Sequence, residues 1–93
     1  KFLGVEPFDY SALEIAKALV NLKRFGITPR HLRGHKALVD REIGIIEGVV
    51  APVLKRNETS SRAKAAQYAR EIEQQFETIR TELINSFIAK IEN

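Results

Sequence analysis

The sequence predicts an all-α fold, a small bundle of about four helices ending in a long one. Three observations support this. Apolar residues recur three and four apart through most of the chain. Helix-boundary residues cluster at a few points: Ser11, Gly26 before Thr28-Pro29, Gly34 and Pro52. Beyond Pro52 there is neither Gly nor Pro, so nothing local breaks a final helix.

With 93 residues the chain is long enough for one domain. A domain this small buries roughly 60–65% of the surface its unfolded chain exposes, so a partner copy would add to its stability. The absence of cysteine excludes disulfides, thiol catalysis and thiolate metal sites. No apolar run has the ~18 residues of a membrane span, and no signal-peptide pattern opens the chain. A soluble, cytoplasmic protein is expected. The first residue is Lys rather than Met, which predicts a piece of a longer protein.

The lead-in, residues 1–9, contains Gly4, Pro7 and two phenylalanines and reads as irregular or extended. A first helix is predicted over 11–25. "SALE" has the form of a capping box, Ser11 taking an amide bond while Glu14 reaches back. Leu13, Ala16, Leu19 or Val20, Leu22 and Phe25 follow at helical spacing. Gly26 stands where a left-handed C-cap is expected. Thr28 then caps a second, short helix over 29–34, with Pro29 at its first position, where a missing N–H matters least. Two helices joined this tightly cross at a large angle.

Gly34 is expected to end or kink that turn, and a third helix follows over 35–51. Val39, Ile43, Ile46, Val50 and Val53, widened by Leu38, Ile45 and Val49, mark it as the buried centre. Gly44 and Gly48, each about 1 kcal/mol less favourable than Ala in a helix, suggest close approach by another backbone. Pro52 stops or bends the helix. After the loop "KRNETSSR", with Thr59, Ser60 and Ser61 as alternative caps, the last helix runs over 60–91. Ala65, Ala69, Ile72, Phe76, Ile79 and Leu83 form its stripe, drifting to Phe87 and Ile91 with Ile84 and Ile88 beside it.

That last helix, roughly 45 Å long, overhangs anything the shorter helices can build. Its far end, "LINSFIAKIEN", is also the wider apolar part. A second copy is the simplest cover for it. The predicted dimer interface is Phe76, Ile79, Leu83, Ile84, Phe87, Ile88 and Ile91. The alternative is that the lead-in phenylalanines fold back over it.

No phosphate loop, nucleophile elbow or metal-binding helix motif is present, so no catalytic residue, cofactor or metal is assigned. His31 and His35, with Asp40 or Glu42, offer zinc-type ligands. Gly34 lies between the histidines, however, and Arg30, Arg33 and Arg41 repel a cation. Residues 1–56 hold ten Lys/Arg against six acids, while residues 57–93 hold five against six. The basic excess centres on "LKRFGITPRHLRGHKALVDRE". Arg30, His31, Arg33, His35, Lys36 and Arg41 are therefore the candidate effector- or partner-binding residues, since arginine grips carboxylate or phosphate through two bonds. An internal network, Asp40 holding Arg33 or Lys36, is the structural alternative. DNA-backbone contact is a third.

"SALEIAKALVNLKRFGITPRHLR" resembles part of the MerR family of bacterial transcription regulators. There a helix ending in a hydrophobic–Gly turn is followed by a short helix starting at Ser/Thr, then by a long dimerising helix. Tyr10, Leu19, Leu22, Phe25, Gly26, Thr28 and Leu32 sit near the matching positions. "RFGITPRHLR" together with "DREIGIIEGVVAP" is similar to the C-terminal region of an actinobacterial MerR-like regulator, the kind that controls the cell-division gene ftsZ. The recognition helix and the Arg-Tyr-Tyr-Glu motif of that family have no match here. The resemblance implies a regulatory and homodimerisation domain that reaches DNA through a missing N-terminal domain and answers a possible small-molecule or protein effector. The rival readings are a helix-turn-helix-like module that binds nucleic acid directly, and a helical adaptor docking another protein through Gly44, Gly48 and the apolar tail.

Overall fold

The computed structural model describes residues 4–6 and 9–93. Its regular structure is three helices: α1 (Tyr10–Lys23), α2 (Pro29–Lys55) and α3 (Ser61–Glu92). Among the described residues the only extended feature is a single bridge position at Val5. The chain divides into two compact units, Lys1–Val39 and Asp40–Asn93, and α2 contributes to both. The all-helical class and the long last helix match the expectation; the count of four helices does not.

α1 begins one residue before the expected cap. Asp9, in extended conformation, is the N-cap and makes no side-chain cap bond, while its carbonyl accepts from Leu13 N–H at 3.3 Å. Ser11 thus lies inside the first turn, and Glu14 pairs instead with exposed Lys17 at 3.3 Å. The earlier start gains a further turn of backbone bonding that a Ser11 cap would forgo. α1 stops at Lys23, and Gly26 takes φ +78°, its N–H donating to the Lys23 carbonyl at 3.0 Å. That left-handed conformation is the reason for glycine there. Phe25 lies outside the helix, 66% exposed, under the Arg24 guanidinium at 4.6 Å.

Thr28 caps α2 as expected. Its carbonyl accepts from His31 N–H at 3.0 Å and Leu32 N–H at 3.3 Å. His31 Nδ1 in turn accepts from the Thr28 backbone N–H at 3.0 Å, with the Thr28 hydroxyl 3.1 Å from the same nitrogen. An imidazole thus fills the role that Glu or Gln has in a capping box.

The predicted break at Gly34 is absent; helices two and three are one helix of 27 residues. An interior glycine is about 1 kcal/mol worse than Ala, which weakens a helix but is too little to end one that is bonded on both sides. A Cβ built on Gly34 meets nothing within 4 Å. Gly34→Ala is therefore expected to stabilise the chain by about 1 kcal/mol, read as a raised melting temperature. A lower one would indicate a helix end at this position. The helix also passes Pro52. The ring crowds the carbonyl four residues back, and that residue is Gly48, which has the widest freedom to tilt it away.

α2 ends at Lys55, with Asn57 in the left-handed region at φ 52°, a conformation that asparagine tolerates better than most residues. Ser61, buried at 5%, accepts from Glu58 N–H at 3.0 Å and returns its own N–H to the Glu58 carbonyl at 3.1 Å. This reciprocal pair closes the loop into α3.

In the unit Asp40–Asn93, Ile46, Val50 and Val53 of α2 and Ala65, Ala69, Ile72 and Phe76 of α3 are buried or half-buried. Small alanines near the loop let the two helices start close together; Ile72 and Phe76 fill the widening gap. The pair is closed by Arg80. Its Nη1 donates to both carboxylate oxygens of Glu42, at 2.6 Å and 2.5 Å, and its Nη2 donates to Glu73 at 3.2 Å. The Glu73 bond and the charge of Glu42 raise the Arg80 pKa above its ordinary value, so the fork stays charged at any working pH. α2 is not the buried centre it was expected to be. Val53 is its one buried residue, and Leu38, Ile43, Ile45 and Val49 are between 46% and 57% exposed.

Candidate functional site

The continuous α2 spreads the six predicted binding residues around one helix. Successive residues turn by about 100°, so Arg30 and Arg41 share one face about three turns apart, with Arg33 beside it. Leu32 and Val39 lie on the opposite face. His35 and Lys36 flank that apolar side. All six are exposed except Lys36, which is half-buried. Lys36 and Asp40 each have a partner. Arg30, Arg33 and Arg41 form no ion pair among the described residues.

His31 and His35, expected to be separated by a break, are instead aligned by the unbroken helix. Nevertheless, no three His, Cys, Asp or Glu residues gather into a metal site among the described residues. His31 Nδ1 is taken by Thr28, and Glu42 by Arg80.

His35 and Lys36 border an apolar groove in the unit Lys1–Val39. Its walls are Ile15, Ala18, Leu19 and Leu22 from α1 and Leu32 and Val39 from α2, around about 350 Å³. Leu19 and Leu32 also line a second hollow of about 360 Å³, which runs to Gly26, Ile27 and Pro29. Each helix contributes at i, i+3, i+4 and i+7, the spacing of one face. The sequence signal for α1 was present but read one residue out of phase. Ala12, Ile15, Leu19 and Leu22 face inward, while Leu13 and Ala16 are exposed. Both phases have helical spacing, and Ala12 is too small to announce itself.

The predicted interface residues fall into two groups. Phe76 is half-buried within its own unit. Ile79, Leu83, Ile84, Phe87, Ile88 and Ile91 are 42–69% exposed, and every residue from 81 onward is exposed. α3 has 32 residues, about 48 Å at 1.5 Å each, roughly twice the length of the α2 portion in its unit. Gly44 and Gly48 have open space where a Cβ would stand, so no helix of this chain closes on them. No helix among the described residues is long and apolar enough to cross a membrane.

The family model for the Rv1828-like C-terminal domain matches residues 3–92. The Uncharacterized HTH-type transcriptional regulators Mb1859 of Mycobacterium bovis and Rv1828 of Mycobacterium tuberculosis are each 31% identical to the chain over 84 residues, covering 90% of it. The chain spans only 34% of the length of these relatives. No solved structure matches it. With a family model matched over nearly its whole length, the chain belongs to the Rv1828-like C-terminal domain family.

Proposed function

We propose that this chain is the regulatory and self-associating part of a helix-turn-helix transcription regulator, of MerR-like type, that works as a homodimer in the cytoplasm. DNA is read by another part of that regulator. The uncovered end of α3 carries the reading. Six large apolar side chains on one helix, each at least 42% exposed, form a patch that a second copy would bury. The names of the relatives supply the regulatory context. In such a protein the dimer sets the spacing and twist of two DNA-reading heads. An effector, small molecule or protein, at the basic side of α2 (Arg30, His31, Arg33, His35, Lys36, Arg41) acts by binding two dimer geometries with different affinity.

The test is a pair of DNA titrations. The chain by itself should show only weak binding that vanishes with salt. A full-length regulator of this family should lose roughly 10²–10⁴-fold in affinity for a two-half-site operator when the α3 end is made polar, as expected when two linked contacts become independent. Salt-steep, sequence-selective binding by the chain alone would favour the direct nucleic-acid reading instead, with the unpaired Arg30, Arg33 and Arg41 as its phosphate contacts.

A further inference from the structure

Two apolar surfaces of this chain lack a cover, and they carry opposite charge. The first is the α1–α2 groove of the unit Lys1–Val39, walled by Ile15, Leu19, Leu22, Leu32 and Val39. Residues 10–39, which build it, hold six Lys/Arg and one acid, a net of +5. The second is the end of α3. Residues 71–93, which build it, hold five Glu and two Lys/Arg, a net of −3. Leu83, Phe87 and Ile91 follow one another on a single strip there.

We propose that the end of α3 from one copy seats in the α1–α2 groove of a second copy, and that the same contact is made in return. This rests on the dimer reading above and names the surface that the seam meets. A helix laid into an apolar groove anchors through residues at i, i+4 and i+8, which Leu83, Phe87 and Ile91 supply. The acidic flank of α3 meets the basic rim of the groove, which fixes the sense of docking. Exchange in both directions closes at two copies rather than growing into a filament. Each copy then contributes two patches, together of the size that a standard interface needs, about 800 Å² per partner. The groove becomes a chamber whose roof belongs to the other copy. A ligand entering beside His35 and Lys36 would act directly on the dimer.

The absence of cysteine makes the test clean. Chains carrying Ala18→Cys, a small exposed position on the groove wall, are mixed with chains carrying Leu83→Cys, Phe87→Cys or Ile91→Cys and oxidised gently. A disulfide forms only where the two Cβ atoms come within about 4.5 Å. The expected result is a mixed disulfide dimer, at least about tenfold above a control pairing with Thr59→Cys in the loop, and weakened by high salt. A particle of doubled mass whose α3 cysteines join each other but never Ala18→Cys would overturn the groove contact while leaving the dimer reading intact. A monomeric mass would overturn both. A chain bearing both cysteines that closes on itself as a monomer would also overturn the proposal, since the groove would then be covered from within.

Discussion

Phe87→Asp combined with Ile91→Asp is expected to convert the particle to monomers without loss of helix. Both side chains are more than 60% exposed in the single chain, so neither change removes a contact within it. Fully burying such a side chain contributes about 1.5–3 kcal/mol. Losing two at each end of a seam, and placing carboxylates there instead, should raise the dissociation constant by at least about 10²-fold. Light scattering reads the mass and circular dichroism the helix. An unchanged mass would remove α3 from the interface. A collapse of helix content would mean instead that these residues hold their own chain together.

Val53→Asp should have the opposite signature: the fold fails rather than the assembly. Val53 is 6% exposed, and Ala65 on α3 is 5% exposed, near the loop where α2 and α3 of the unit Asp40–Asn93 lie closest. A carboxylate there finds no partner and must either shed its charge or open the helices. The expected loss is about 3–5 kcal/mol, measured by urea denaturation. This matches much of the stability that a domain of this size has. Val53→Ala, which only removes methyl groups, should retain the fold and lose far less. Equal stability of Val53→Asp and the unaltered chain would contradict the packing described for this pair of helices.

The elements with strong local chemistry were legible from sequence. Thr28-Pro29 announced the start of α2, Gly26 the end of α1, and the absence of Gly and Pro the length of α3. What was illegible depended on balance or on distance. Whether Gly34 ends a helix is decided by about 1 kcal/mol against hydrogen bonds on both sides, which a single residue does not reveal. The capping role of His31 is a local contact, but imidazole is an unusual occupant of that position. The Glu42–Arg80 fork joins residues 38 apart, and no periodicity points to it.

The candidate site was legible in part for the same reasons. The uncovered end of α3 follows from length and pattern, since a helix twice as long as its partner must leave a stripe bare. The groove does not, because its walls look in sequence like ordinary core. Only the structure leaves them open. Basic residues close in sequence were grouped as one surface on the assumption of a corner at Gly34. In a straight helix they fan around the axis, and only His35 and Lys36 border the apolar side.

The most direct test of the account is the mass of the unaltered chain, measured by light scattering across micromolar concentrations. Self-association through α3 predicts twice the 10.5 kDa of a single copy, falling toward one copy on dilution. A mass of one copy throughout, with the α3 end free in solution, would contradict it.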